Sequence, residues 1–157
     1  MNTAQPLSNP SFQIQRIFLK KQLCELPRGA IVFKEPYEPE IKFEMKISHQ
    51  ELESDIYEVV LALNVESRSQ QREVFRIEVE QTGIFTAKGY PAEQLEPLLK
   101  AYCPSVLYPY ARQTIAMLCL GAGFPAIALE PINFEGLYLQ QKQPQATAAD
   151  PAIEVAH

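Results

Sequence analysis

The chain has 157 residues, 46% of them apolar, and its nineteen acidic and fourteen basic side chains leave a formal charge of −5. That length and composition fit one domain with a core of its own and exclude disorder of the whole chain. The acidic balance, with no Lys/Arg cluster, argues against a phosphate-tracking surface and so against nucleic acid as a partner.

Residues 1–10 are polar, lack a basic region followed by an apolar run, and read as a disordered tail rather than a signal peptide. A first strand is expected over Phe12 to Leu19, although Gln13, Gln15 and Arg16 interrupt its apolar residues. Next, Leu26 to Pro39 sets Pro27, Gly29, Pro36 and Pro39 around Ile31, Val32, Phe33 and Tyr37. It is too long for a hairpin and too apolar for a solvated linker, which leaves two readings: a loop folded over the end of its own core, or a surface that takes a partner.

Three alternating stretches follow. Ile41, Phe43, Met45 and Ile47 face opposite to Lys42, Glu44 and Lys46, the period-two pattern of a half-buried strand. Tyr57, Val59, Leu61, Leu63 and Val65 define a third strand; Phe75, Ile77 and Val79, against Arg76, Glu78 and Glu80, define a fourth. A polar loop from Ser67 to Arg72 is expected to join these two as a hairpin. Gly83 reads as the glycine at a strand end, where a bulge or close backbone crossing is the usual reason. Strands that precede the helices predict an α+β fold, an antiparallel sheet of four strands covered on one face.

Leu95, Leu98, Leu99 and Tyr102 stand at helical spacing, with Pro97 expected to kink or shorten that helix. The run from Ala101 to Arg112 then carries Pro104 and Pro109, which predicts a regular helix after Pro109 with Pro104 shaping its approach. From Tyr110 to Leu120 only Arg112, Gln113 and Thr114 are plainly polar. A helix apolar nearly all round needs cover on several sides, which places it in a subunit interface, with Ile115 and Leu118 among the contacts. A second proline-marked connection spans Gly121 to Ile132, and Asn133 can cap a last helix bearing Phe134, Leu137 and Tyr138. Residues 143–157 read as a second disordered tail, leaving a domain over 11–142.

No catalytic chemistry stands out. A Gly-rich loop before Lys-Ser or Lys-Thr is missing, so no nucleotide cradle is expected. Cys24, Cys103 and Cys119 lack close pair spacing and read as buried thiols in a reducing cytoplasm rather than as disulfides or metal ligands. His49 reads as part of a solvated turn, and acid pairs such as Glu78 and Glu80 as a wet face. The expectation is therefore no cofactor, no metal and no enzyme activity. The longest uncharged apolar stretch, Ile115 to Leu129, is shorter than the ~20 residues that span a bilayer, so no membrane insertion is expected.

Three segments resemble the SecB family of bacterial export chaperones: Phe12-Gln13-Ile14-Gln15-Arg16-Ile17, Glu78 through Thr82-Gly83-Ile84-Phe85, and Ala101-Tyr102-Cys103-Pro104 through Pro109-Tyr110-Ala111-Arg112. Phe124-Pro125 and Pro131-Ile132-Asn133-Phe134 extend the likeness, which covers about Phe12 to Lys142. The resemblance implies a dimer of dimers with helices sandwiched between sheets. It implies a cytoplasmic, ATP-independent holdase that binds unfolded precursors and delivers them to the SecA motor ATPase. It places the client groove between the proline-rich crossover loop and the connection before the last helix, with Phe33, Tyr37, Phe124, Leu129 and Phe134 as lining candidates.

For SecA, the resemblance implies docking through outer-sheet acids, matched here by Glu25 and Glu78, although Lys21 and Arg76 stand where an acid and an apolar residue are usual. In the expected homotetramer, Phe75, Ile77, Val79 and Gln81 join Ile115 and Leu118 in the subunit contact. Two rival readings are a SecB-like chaperone dedicated to another client, such as an antitoxin, and an oligomeric small-molecule enzyme. The second lacks a nucleophile, base and orienter that fall together.

Overall fold

The computed structural model describes residues 9–143, so the expectations for tails 1–10 and 143–157 fall almost wholly outside them. Strands β1 (Ser11–Glu25), β2 (Pro39–Glu53), β3 (Ile56–Ser69) and β4 (Arg72–Lys88) form one antiparallel sheet in the order β1-β4-β3-β2. Helices α1 (Ala92–Pro97), α2 (Cys103–Gly121) and α3 (Phe134–Lys142) follow, which is the expected α+β arrangement.

The alternation expected in β2, β3 and β4 is the one observed. Val59, Leu61, Leu63, Val65, Phe75, Ile77 and Val79 are fully buried on one sheet face, while Arg76, Glu78 and Glu80 lie on the other. The β3–β4 connection is tighter than the sequence suggests: Ser69 pairs with Arg72, and Gln70 and Gln71 both take positive φ, 52° and 63°. Two left-handed residues match the twist of the flanking strands. Ser67 and Ser69 are thus buried strand residues that continue the inward phase of β3, not parts of a polar loop.

β1 runs six residues beyond its expected end at Leu19, and two bulges explain why the pattern hides it. The register shifts between Ile14 and Arg16 and again between Leu19 and Lys21. Each extra residue reverses which side chains face inward, so the inward series is Phe12, Ile14, then Ile17, Leu19, then Gln22, Cys24. The buried Gln81 amide donates to the Phe18 carbonyl at 3.0 Å, serving the backbone beside the second bulge. Gly83 lies within β4, not at its end. A Cβ there would stand 2.6 Å from the Phe85 ring and 3.1 Å from Leu107, so helix and sheet meet over the missing side chain.

Helix α2 begins earlier than expected. α1 ends at Pro97 as predicted, a π turn over Leu98–Tyr102 carries the chain on, and α2 starts at Cys103 with Pro109 inside it. Pro104 has no amide hydrogen to offer, and the wide turn before it lets Cys103 N–H reach the Leu98 carbonyl. Pro109 is exposed, so water can serve the carbonyl it leaves unpaired. What holds the helix is its stripe at every fourth residue: Cys103, Leu107, Ala111, Ile115 and Cys119 are all 0% exposed. Such a ridge packs into the grooves of the core, and each large apolar side chain buried contributes about 1.5–3 kcal/mol.

This packing corrects the interface expected from sequence. Phe75, Ile77, Val79, Gln81 and Ile115 are already buried within one chain, and surface removed from water once cannot be buried again against a partner. Leu118 is partly buried, while Tyr110, Met117 and Leu120 of α2 stay exposed, as do Ile14 and Leu19 of β1. His49 is also corrected: it lies in β2 opposite Val59, not in a turn. Burial there, then Lys100, lowers its pKa.

Candidate functional site

Between β1 and β2 the chain crosses the sheet as a strap. Gly29 takes φ +63° and donates its N–H to the Leu26 carbonyl, a turn that opens a short 3₁₀ helix over Gly29–Lys34. That helix points Val32 into the core and leaves Ile31 and Phe33 each 52% exposed. Polar pins fasten both ends. Arg28 donates to both carboxylate oxygens of Glu35, at 3.0 and 2.9 Å, and its Nε donates to the Glu73 carbonyl. Arg72 reaches the same Glu35 carboxylate at 3.1 Å. At the other end the Tyr37 and Ser67 hydroxyls lie 3.0 Å apart, and Ser69 Oγ accepts from Glu38 N–H and donates to the Pro36 carbonyl.

The second proline-marked connection meets this strap. After Gly121 the backbone turns sharply: Gly123 takes φ +92° and Phe124 N–H donates to the Cys119 carbonyl. The turn sets the Phe124 ring among three others, with centroids 5.2 Å from Phe33, 4.9 Å from Tyr37 and 5.0 Å from Phe75. Gly123 is required twice here, for its backbone angle and because a Cβ would approach the Phe33 ring to 3.2 Å. Three of the five candidate groove residues, Phe33, Tyr37 and Phe124, are thus brought together.

Leu129 and Phe134 form a second apolar group within the same core. Phe134 packs edge-on to Tyr108 at 5.5 Å, and the Tyr108 hydroxyl donates to the Glu130 carbonyl, tying the connection to α2. Phe124 hangs from Cys119 and this cluster from Tyr108, positions about 16 Å apart along an α-helix. Asn133 accepts from Gly136 N–H at 3.0 Å and caps α3 as expected. On either side of Ile132 and Asn133 lies a hollow. One, about 350 Å³, reaches Phe43, Tyr108 and Leu137; the other, about 490 Å³, reaches Leu98, Tyr102 and Phe134.

The candidate docking acids lie on the opposite face of the sheet, and both are paired. Lys21 donates to Glu78 at 2.8 Å, and Arg76 pairs with Glu25. Hydrogen bonding from Lys21 holds the Glu78 carboxyl below the usual carboxylate range. Lys20 adds a looser pair with Glu58 at 3.6 Å. The surface is therefore a lattice of alternating charge rather than an acidic field.

Sequence reasoning missed the pins Arg28, Glu35, Ser67, Ser69 and Arg72, and also Tyr108. The serines had a signal, because they extend the odd-numbered inward phase of β3 from Tyr57 to Val65. The arginines had none, since the contacts of Arg72 with Glu35 and of Arg28 with the Glu73 carbonyl cross between separate elements and leave no local pattern.

A family model described as preprotein translocase subunit SecB matches residues 5–145. A protein-export protein SecB from Legionella pneumophila is 40% identical over 156 residues, 98% of this chain and 96% of its own length. Those from Chromobacterium violaceum and Hahella chejuensis are 40% identical over 141 residues and 37% over 155, covering 90% and 98% of this chain and 94% and 98% of theirs. A SecB-like chaperone from Mycobacterium tuberculosis, solved with a peptide of an antitoxin, shares the fold at a TM-score of 0.62 and 17% identity, over 77% of this chain and 90% of that one.

Proposed function

The chain belongs to the SecB family of protein-export proteins, and we propose that it is an ATP-independent holdase that binds unfolded precursor polypeptides in the cytoplasm and delivers them to the SecA motor. One observation carries this reading. Two proline-marked connections, far apart in sequence, converge on Phe124 and leave exposed apolar side chains and two open hollows along their course. Such a surface selects for length and apolar content rather than sequence. Each client side chain it buries contributes about 1.5–3 kcal/mol before the costs of ordering, so a single site is weak.

Assembly supplies the remaining affinity. Ile14 and Leu19 on the inner side of β1 are exposed, as are Tyr110, Met117 and Leu120 on α2, and this uncovered apolar area suits a homotetramer of paired dimers. Several grooves on one particle raise avidity through effective concentration when the client is long and still unfolded. Handover to SecA is assigned to the outer sheet face around Glu25 and Glu78. Its opposite charges cancel part of the field a basic partner would feel, so docking there is weaker than on an all-acidic face.

The test is light scattering of an unrelated unfolded protein diluted from denaturant, with and without the chain and without nucleotide. Delayed aggregation at stoichiometric amounts is expected, and an unchanged time course sinks the holdase reading. Scattering mass across micromolar concentrations checks assembly separately: Met117→Lys with Leu120→Lys should lower it, and a parent that is a monomer throughout removes the tetramer.

A further inference from the structure

Of the three rings around Phe124, only one is largely exposed. Phe75 is fully buried in the sheet, and the Tyr37 hydroxyl is tied to Ser67. Phe33 is 52% exposed and rides on the short helix of the strap, so lifting the strap uncovers Phe124 and Val32 together. What resists that motion is the clasp of Arg28, Glu35 and Arg72. Glu35 carries charge-assisted bonds from both arginines, and Arg28 alone bridges the strap to the Glu73 carbonyl at the start of β4. The Arg28 and Glu35 side chains are each 25% exposed, so their pairing is only partly screened.

We propose that the Arg28–Glu35–Arg72 clasp is a positioning device for the client groove, holding Phe33 stacked on Phe124 and setting how fast that aromatic site opens to an unfolded segment. Arg28 and Glu35 act through the strap and touch no client. The inference rests on the holdase reading for its second half only, since the position of the strap can be read without any client.

The chain contains no tryptophan, so Phe33→Trp installs a single indole at the moving end, excited selectively over the seven tyrosines. In that background Glu35→Gln should shift the indole emission to the red in the absence of client, and Arg28→Lys, which keeps the charge but cannot serve Glu35 and the Glu73 carbonyl from two nitrogens, should fall between. Added salt should move the parent toward Glu35→Gln and leave Glu35→Gln nearly unchanged, a response that general loss of stability does not produce. In stopped-flow mixing with an uncharged unfolded client, Glu35→Gln should associate faster by about three- to tenfold, as expected for losing charge-assisted bonds at partial exposure. Client-free emission that is the same in parent and Glu35→Gln overturns the inference, whether or not the chain binds clients. A red shift with unchanged association overturns it as well, because the strap then moves without gating the site. Failure of the parent to bind any client sinks the holdase reading, while client-free emission still decides whether the clasp holds the strap.

Discussion

The two apolar clusters beside α2 are built from the same kinds of residue and end in different states. Around Phe124 the rings of Phe33, Tyr37 and Phe75 fill the space, and the chain serves as its own ligand. Around Leu129 and Phe134 the backbone is tied down by Tyr108 and Asn133, yet hollows of about 350 and 490 Å³ remain beside Ile132. The difference lies in what crosses above each cluster. A strap pinned at both ends covers the first, and among the described residues nothing of comparable length covers the second. Apolar composition thus marks where a groove can be, and the fastening of neighbouring segments determines whether it stands open.

That contrast breaks or sharpens under substitution. Phe124→Ala should be the most damaging, costing about 3–5 kcal/mol in urea unfolding, because a nearly buried ring with three ring neighbours leaves a cavity. A loss below about 1 kcal/mol would mean the cluster is not filled in solution. Ile132→Ser, at the wall shared by both hollows and packed in part on the core, should cost about 1–2 kcal/mol of stability and weaken client affinity about tenfold, the loss expected for one apolar contact. Equal client affinity in parent and variant would close the second cluster as a binding site.

Phe33→Ala should lower stability by about 1 kcal/mol or less, since half of that ring is already in water. If it weakens client binding more than Ile132→Ser does, the covered cluster is the main site and the contrast reverses. The smallest change is expected on the outer sheet face, where Lys21→Met should let the Glu78 pKa rise toward the ordinary carboxylate value, as followed by NMR titration. With the Glu78 pKa depressed in the fold, the pair's contribution is present above the unfolded carboxylate pKa and lost as pH falls through the depressed value. A Glu78 titration that ignores the substitution would remove the pairing.

Much of the fold was legible because strand alternation is a local signal. β2, β3 and β4 declare which residues face inward, and Asn133 and Pro97 mark helix ends by the chemistry of single residues. The second half of β1 was hidden because two bulges reverse the period, so Ile17 and Leu19 appear out of phase with Phe12 and Ile14. The early start of α2 was hidden because a local rule placed Pro109 at a helix start, whereas packing of the Cys103-to-Cys119 stripe outweighs its missing hydrogen bond. The candidate groove residues were found as segments and not as a site, since no periodicity says that Phe33 stacks on Phe124.

The sequence was enough for the α+β class, the inward faces of the sheet, the proline-marked connections and the likeness to SecB, because each is written in residues close together along the chain. It also carried the surplus of apolar surface on α2. Which part of that surplus is core and which part stays uncovered depends on the sheet that lies against it, as the buried Ile115 and the exposed Met117 show. The pairing of Arg28 with Glu35 and the Glu73 carbonyl, of Arg72 with Glu35, and of Lys21 with Glu78, depends in the same way on strands and strap being in place. A charge pair between distant elements needs only two side chains within reach, and distances of that kind arise after the chain has folded.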